Sequence, residues 1–111
     1  MSRVRVASAD ELSSGQMTVV HVDGEDVLLA RVGEEFFAVD NVCTHGGGLL
    51  EDGFLLPEAC QVRCPLHGGR FDLRTGDATK PPATLPLTAY RVEVRDGEVL
   101  LGQPTYLPDE D

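Results

Sequence analysis

Two of the three cysteines and two of the three histidines of this chain fall in two short, matching runs, CTHGGG at 43–48 and CPLHGG at 64–69. Written as ligands, the pattern is Cys43-x-His45, eighteen residues, then Cys64-x-x-His67. Each run joins one soft thiolate to one imidazole, and each is followed by glycine. Thiolate and imidazole are both first-row metal ligands, and a cytoplasmic, reducing setting favours metal or redox chemistry over a disulfide for so few cysteines. The glycines let the backbone turn tightly around something bulky and expose N–H groups that can face an electron-rich atom.

Two metal sites accept this donor set. Structural zinc takes two thiolates and two imidazoles, but its knuckles usually pair like with like, as C-x2–4-C and H-x3–5-H. Here each loop mixes the ligand types. A binuclear iron–sulfur cluster with both cysteines on one iron and both histidines on the other explains the mixing, because each loop then gives one ligand to each iron. Cys60, outside the paired motif, reads as a small buried hydrophobe in a short strand. His21, in MTVVHV, reads as an ordinary strand histidine.

The elements that must position these loops are short strands. VRVAS at 4–8, MTVVHV at 17–22, VLLARV at 27–32 and FFAVD at 36–40 are β-branched or apolar runs separated by turns at DGED and at Gly33–Glu35. YRVEVR at 90–95 alternates, with Tyr90, Val92 and Val94 predicted to share one face, and Asp96–Gly97 turns it back into EVLLG. Between these outer strands, residues 43–83 are rich in Gly, Cys, His and Pro, with strands predicted at 53–56, 60–63 and 71–73. At most a helical turn is expected at 49–52 or 57–59. The expected fold is all-β, a small sandwich or barrel of antiparallel strands in a single domain, 1–111. The metal-binding segment, about 41–83, is expected as a subdomain inserted in that β base.

Composition narrows the function. Nineteen acidic against nine basic residues give a formal net charge of -10. Such a surface repels phosphate backbones and anionic membranes and favours a basic partner. Nucleic-acid and membrane binding are therefore not expected. The N-terminal MSRVRVASADE has no apolar run of the signal-peptide type, so a cytoplasmic location is expected. The acidic PDED end reads as a solvated terminus. No nucleotide-binding glycine fingerprint or hydrolytic triad is present, so an enzyme is not expected.

The paired motif, together with FFAVDNVCTH, CPLHGGRFDLRTGDATKPPA and YRVEVRDGEV, resembles the Rieske-type [2Fe–2S] proteins over nearly the whole chain. The resemblance implies one [2Fe–2S] cluster, with Cys43 and Cys64 on a buried inner iron and His45 and His67 on an outer iron nearer solvent. It implies that Pro81–Ala83 is the proline loop covering the cluster's third side. Rieske proteins of respiratory bc complexes carry a further cysteine in each loop, joined as a disulfide, and the corresponding positions here are Gly48 and Leu66. Their sulfur-directed serine corresponds to Gly69, and their tyrosine to Phe71 or Asp72. With these donors absent, a lower reduction potential is expected.

The chain accordingly resembles the soluble ferredoxins of bacterial aromatic-ring dioxygenase systems. That resemblance implies a one-electron carrier between a flavoprotein reductase and a terminal ring-hydroxylating oxygenase, in transient contact with each. The alternatives are the small Rieske-like subunit of an assimilatory nitrite reductase, a Rieske protein of another redox pathway, and a zinc-stabilised β interaction module.

Overall fold

The computed structural model describes residues 3–44, 47–66, 68–81 and 83–104. Its architecture is two antiparallel sheets, one nested within the other along the chain. The larger has six strands: β1 (Val4–Ser8), β2 (Met17–Val22), β3 (Glu25–Val32), β4 (Glu35–Asp40), β9 (Ala89–Arg95) and β10 (Glu98–Pro104). Their spatial order is β1-β10-β9-β4-β3-β2, and the edges β1 and β2 approach each other, so this sheet curls into a nearly closed barrel. The smaller sheet, in the order β5-β6-β7-β8, comprises β5 (Phe54–Leu56), β6 (Gln61–Arg63), β7 (Arg70–Asp72) and β8 (Ala78–Lys80).

Turn chemistry fixes the barrel's hairpins. Asp23–Gly24 and Asp96–Gly97 both take positive φ at both positions (51° and 82°; 54° and 78°), the type I′ arrangement that matches strand twist. The first turn is therefore tighter than DGED: Glu25 and Asp26 already belong to β3, paired with Val22 and His21.

Burial explains why β3 reads as a continuous apolar run. Val27 and Leu29 enter the barrel core with Leu12, Phe36, Ala38, Val99 and Leu101. Leu28 and Ala30, on the opposite face, join a second core with Val39, Leu50, Val62, Phe71 and Leu73. A strand covered on both faces loses its alternation. The second core lies where the two sheets meet, and Cys43 and Cys64 are part of it.

Most predicted strands form within one or two residues of expectation. Three differences have local causes. β8 has no counterpart in the sequence reading, because ATK is too short and too polar to stand out from pattern. Val94 does not share the burial expected of its face and is 46% exposed, since β9 pairs with β4 only at Ala89 and Tyr90 and its far end is left uncovered on that side. Cys60 is not in a strand: it caps a 3-10 turn at Pro57–Ala59 in the left-handed conformation, φ 56°. Its N–H donates to the carbonyl of Pro57 (3.1 Å), and its own carbonyl accepts from Leu73 N–H (2.9 Å).

Candidate metal centre

The two Cys/His runs fold into hairpins of one design. In the first, Val42 pairs with Leu49 in a β-bridge and the N–H of Cys43 donates to the carbonyl of Gly48 at 2.8 Å. In the second, Arg63 pairs with Arg70 and the N–H of Cys64 donates to the carbonyl of Gly69, also at 2.8 Å. C-x-H and C-x-x-H differ in spacing, but each loop is closed by the same cysteine-to-glycine bond five residues apart.

The first hairpin has no long strand to hold it and is tied from outside. Asn41, 1% exposed, donates its amide to Glu51 Oε1 and accepts from the Glu51 N–H, both at 2.9 Å. Leu50 N–H reaches the Asn41 carbonyl at 2.8 Å, completing a ladder across the base of the loop. The second hairpin continues directly from β6 and β7, whose pairing supplies the same support.

The hairpins lie against each other. A Cβ built on Gly48 would sit 3.0 Å from two atoms of the Leu66 side chain and 3.1 Å from Cys64 Sγ. These two positions, Gly48 and Leu66, are the ones that carry a loop-to-loop disulfide in bc-complex relatives, and they face each other here as glycine and leucine. A segment after β8 braces both loops. Ala83 packs against Gly69, whose Cβ would fall 2.9 Å from the Ala83 Cβ, and Thr44 Oγ1 donates to the Leu85 carbonyl at 2.7 Å. Pro82 lies outside the described residues.

Cys43 and Cys64 are in no disulfide, are 3% and 2% exposed, and are held in one core on neighbouring loops. His45 and His67 lie outside the described residues. Among the described residues, no three His, Cys, Asp or Glu side chains gather into a metal site. The described part therefore contains the two cysteine positions of the four-residue motif. It fits a cluster in donor chemistry: two buried soft thiols, and a glycine at 48 that leaves the space beside Cys64 Sγ free.

The positions that could tune such a site agree with the expectation of few donors. Phe71 is fully buried in the core and carries no hydroxyl. Asp72 is engaged with Arg74, accepting from its backbone N–H at 2.7 Å and its side chain at 3.4 Å. Cys60 is partly buried, and desolvation there pushes its thiol pKa up, with Arg74 opposing. A raised value makes it a poorer thiolate at neutral pH, in keeping with a packing role. His21 is exposed on β2 and pairs with Asp26 across the β2–β3 hairpin. It takes no part in the site.

Around the loops the surface is apolar. Among the described residues, five of the seven exposed large hydrophobics, Val42, Leu49, Phe54, Leu66 and Leu85, fall between residues 42 and 85. No helix of the described residues is long and apolar enough to cross a membrane.

Comparison with known proteins decides the family. The Rieske [2Fe-2S] domain matches residues 2–91. The chain belongs to the Rieske family. Its cofactor is accordingly a Rieske-type [2Fe–2S] cluster, in place of the zinc alternative. A ferredoxin component of the naphthalene 1,2-dioxygenase/salicylate 5-hydroxylase systems of Ralstonia sp is 39% identical over 98 residues, covering 88% of this chain and 92% of that one. The ferredoxin of carbazole 1,9a-dioxygenase from Nocardioides aromaticivorans IC177 superposes with a TM-score of 0.90 at 41% identity, covering 93% of this Rieske chain and 99% of its own. A ferredoxin–oxygenase complex of carbazole 1,9a-dioxygenase gives a TM-score of 0.86 at 34% identity, over 95% and 97% of the two chains.

Proposed function

We propose that this Rieske protein is the ferredoxin component of an aromatic-ring dioxygenase system, its cluster held by Cys43, His45, Cys64 and His67. Cys43 and Cys64 would hold one iron of the cluster, and His45 and His67 would hold the other. The chain is a single domain, with about 41–83 as the cluster-binding subdomain. It takes one electron at a time from a flavoprotein reductase in the cytoplasm and passes it to a terminal ring-hydroxylating oxygenase. The observation that carries this reading is the pair of equivalent hairpins, which hold two buried thiols in one core. The relatives are named as ferredoxin components, which makes the role that of carrier rather than catalyst.

When bound, the cluster supplies one-electron storage. The chain's own residues determine how that storage behaves. The two thiols, as thiolates, face an apolar core formed by Leu50, Val62, Phe71 and Ala83, which keeps water from the sulfur side. The N–H groups of Cys43 and Cys64 are spent on glycine carbonyls, so they are not aimed at sulfur. Without hydroxyl donors at Gly69, Phe71 and Asp72, added negative charge is weakly stabilised. Rieske centres as a class span about -150 to +300 mV, and these features support a value toward the low end. Because Cys43 and Cys64 are enclosed in the core, the electron would enter and leave on the side held by the histidines of the motif.

A nitrite-reductase small subunit is the alternative that shares the domain; a solved example has a TM-score of 0.79 at 23% identity, which is a likeness of fold. Reconstitution separates the two. The purified protein should accept one electron per chain from a dioxygenase flavoprotein reductase and be reoxidised by a terminal oxygenase with product formed. Transfer only to a sirohaem enzyme would overturn the assignment.

A further inference from the structure

The excess acid of this chain is unevenly placed. Residues 41–83 hold five acidic and four basic residues, whereas the barrel strands and their turns carry most of the remaining negative charge. The basic residues near the loops are also ordered. Phe54, Arg63, Arg70 and Lys80 are directly opposite one another on successive strands β5 to β8, forming one row on the sheet face away from the core. Their neighbours Leu55, Val62, Phe71 and Ala78 point the other way, into the core between the sheets.

Three cations side by side repel, and like charges directly opposite in a sheet are destabilising. Acidic residues outnumber basic ones about two to one in this chain, so partners are abundant. Even so, the six ion pairs among the described residues engage Arg3, Arg5, His21, Arg31, Arg74 and Arg95 and none of the row. The Nε of Arg70 is buried without a hydrogen-bond partner. Arg63 stacks over the exposed ring of Phe54, 5.6 Å to the centroid. Its guanidinium also lies against Gly68, 3.3 Å from where a Cβ would be, on the loop that carries His67. Asp72, which shares this face with Arg70 on β7, is taken by Arg74.

An unsatisfied, self-repelling row at one edge of the site is the kind of local conflict that folding alone does not select. We propose that Phe54, Arg63, Arg70 and Lys80 form a docking strip for a redox partner protein whose contact rim presents carboxylates. The inference rests on the electron-carrier reading above and gives it a direction. The net charge of -10 suggests a basic partner for the chain as a whole, but the residues beside the second hairpin select an acidic one. Arg63 and Lys80 are exposed and available to pair, Phe54 offers the ring, and Leu66 and Leu85 are exposed on the segments that follow β6 and β8.

The test uses two small one-electron oxidants of opposite charge, ferricyanide and hexaamminecobalt(III), mixed with the reduced protein in stopped flow. Ferricyanide takes one electron to become ferrocyanide. Near 0.1 M ionic strength screening acts over about 10 Å, less than the 23 Å thickness of the molecule, so a probe senses local rather than net charge. The proposal predicts that the ferricyanide rate constant falls as ionic strength rises from about 0.05 to 0.3 M. In the R63Q/K80Q double variant it should drop at least about threefold, and its salt dependence should flatten or reverse. Arg91→Gln removes the one other arginine or lysine without an ion pair among the described residues, on the barrel, and should leave the rate unchanged. A native rate that rises with salt, or a double variant matching Arg91→Gln, overturns the strip. A second reading needs no electron transfer: the inert paramagnetic anion hexacyanochromate(III) should broaden amide signals of β5 to β8 before those of the barrel, and uniform broadening overturns the proposal. Loss of the cluster's visible absorption in the native protein would strike at the cofactor reading instead, and the chromium mapping would still judge the strip.

Discussion

The barrel and the loop-bearing sheet use glycine for opposite reasons. In the barrel's turns, Gly15, Gly24, Gly33 and Gly97 have positive φ and open space where a side chain would go. Around the hairpins the space is taken at all the described glycines but Gly47, in the first loop, which is open. A Cβ would fall 2.1 Å from the Arg63 carbonyl at Gly53, 2.2 Å from the Leu87 carbonyl at Gly76, and 2.9 Å from Ala83 at Gly69. The barrel is a tolerant support whose turns need only a backbone shape. The smaller sheet is assembled by backbones packed too closely for any side chain, which is how two loops and a bracing segment can enclose one compact site.

Substitutions that exchange the two conditions should separate them. Gly76→Ala combines φ +85° with a backbone collision and should lower stability by about 3 kcal/mol or more, seen as a lower denaturation midpoint with loss of the cluster's visible absorption. Asn41→Ala should cost about 2–3 kcal/mol, because it removes both bonds to Glu51 at a buried position and frees the base of the first hairpin. Gly48→Ala should be milder, about 1–2 kcal/mol, since Leu66 can yield but Cys64 cannot; its sharper effect should be reduced iron and sulfide content. In the barrel, Gly24→Asn keeps a residue that tolerates positive φ in open space and should stay within about 1 kcal/mol with full cluster content. If Gly24→Asn proved as damaging as Gly76→Ala, the contrast between the regions would be wrong.

Cys60 gives the smallest effect. Burial disfavours its thiolate, so its titration is displaced upward from 9.0. Alkylation of the native protein at Cys60 should therefore be slow at pH 7–8 and accelerate only above about pH 9. A reaction already complete in its pH dependence below pH 8 would contradict the assignment of Cys60 as a packing residue. Cys60→Ser should retain the cluster.

Much of this was legible in the chain itself. The ligand motif, the all-β architecture and the strands at 4–8, 17–22 and 36–40 follow from residue type and period. What was not legible depends on contact between distant segments. β8 is three residues whose only strand signal is its pairing with β7. Cys60 sits in a strand-like sequence, but the turn at Pro57–Ala59 carries it into a left-handed cap. Asn41 gave no signal at all, because an asparagine before a loop looks like any turn residue until its partner Glu51 is seen. The equivalence of the two hairpins was hidden by counting from cysteine to histidine; counting from Cys43 to Gly48 and from Cys64 to Gly69 reveals it. The row of cations was invisible to a net-charge argument, since register alone brings Arg63, Arg70 and Lys80 together.

The central claim is that the two hairpins hold one cluster with a cysteine side and a histidine side. Low-temperature electron paramagnetic resonance of the dithionite-reduced protein tests it most directly. Histidine donates less charge than thiolate and lowers the average g-value relative to an all-cysteine cluster. The account predicts a rhombic signal with that lowered average, lost in His45→Ala and in His67→Ala and retained in Cys60→Ser. An average typical of four cysteine ligands, or a signal that survives both histidine substitutions, would contradict it.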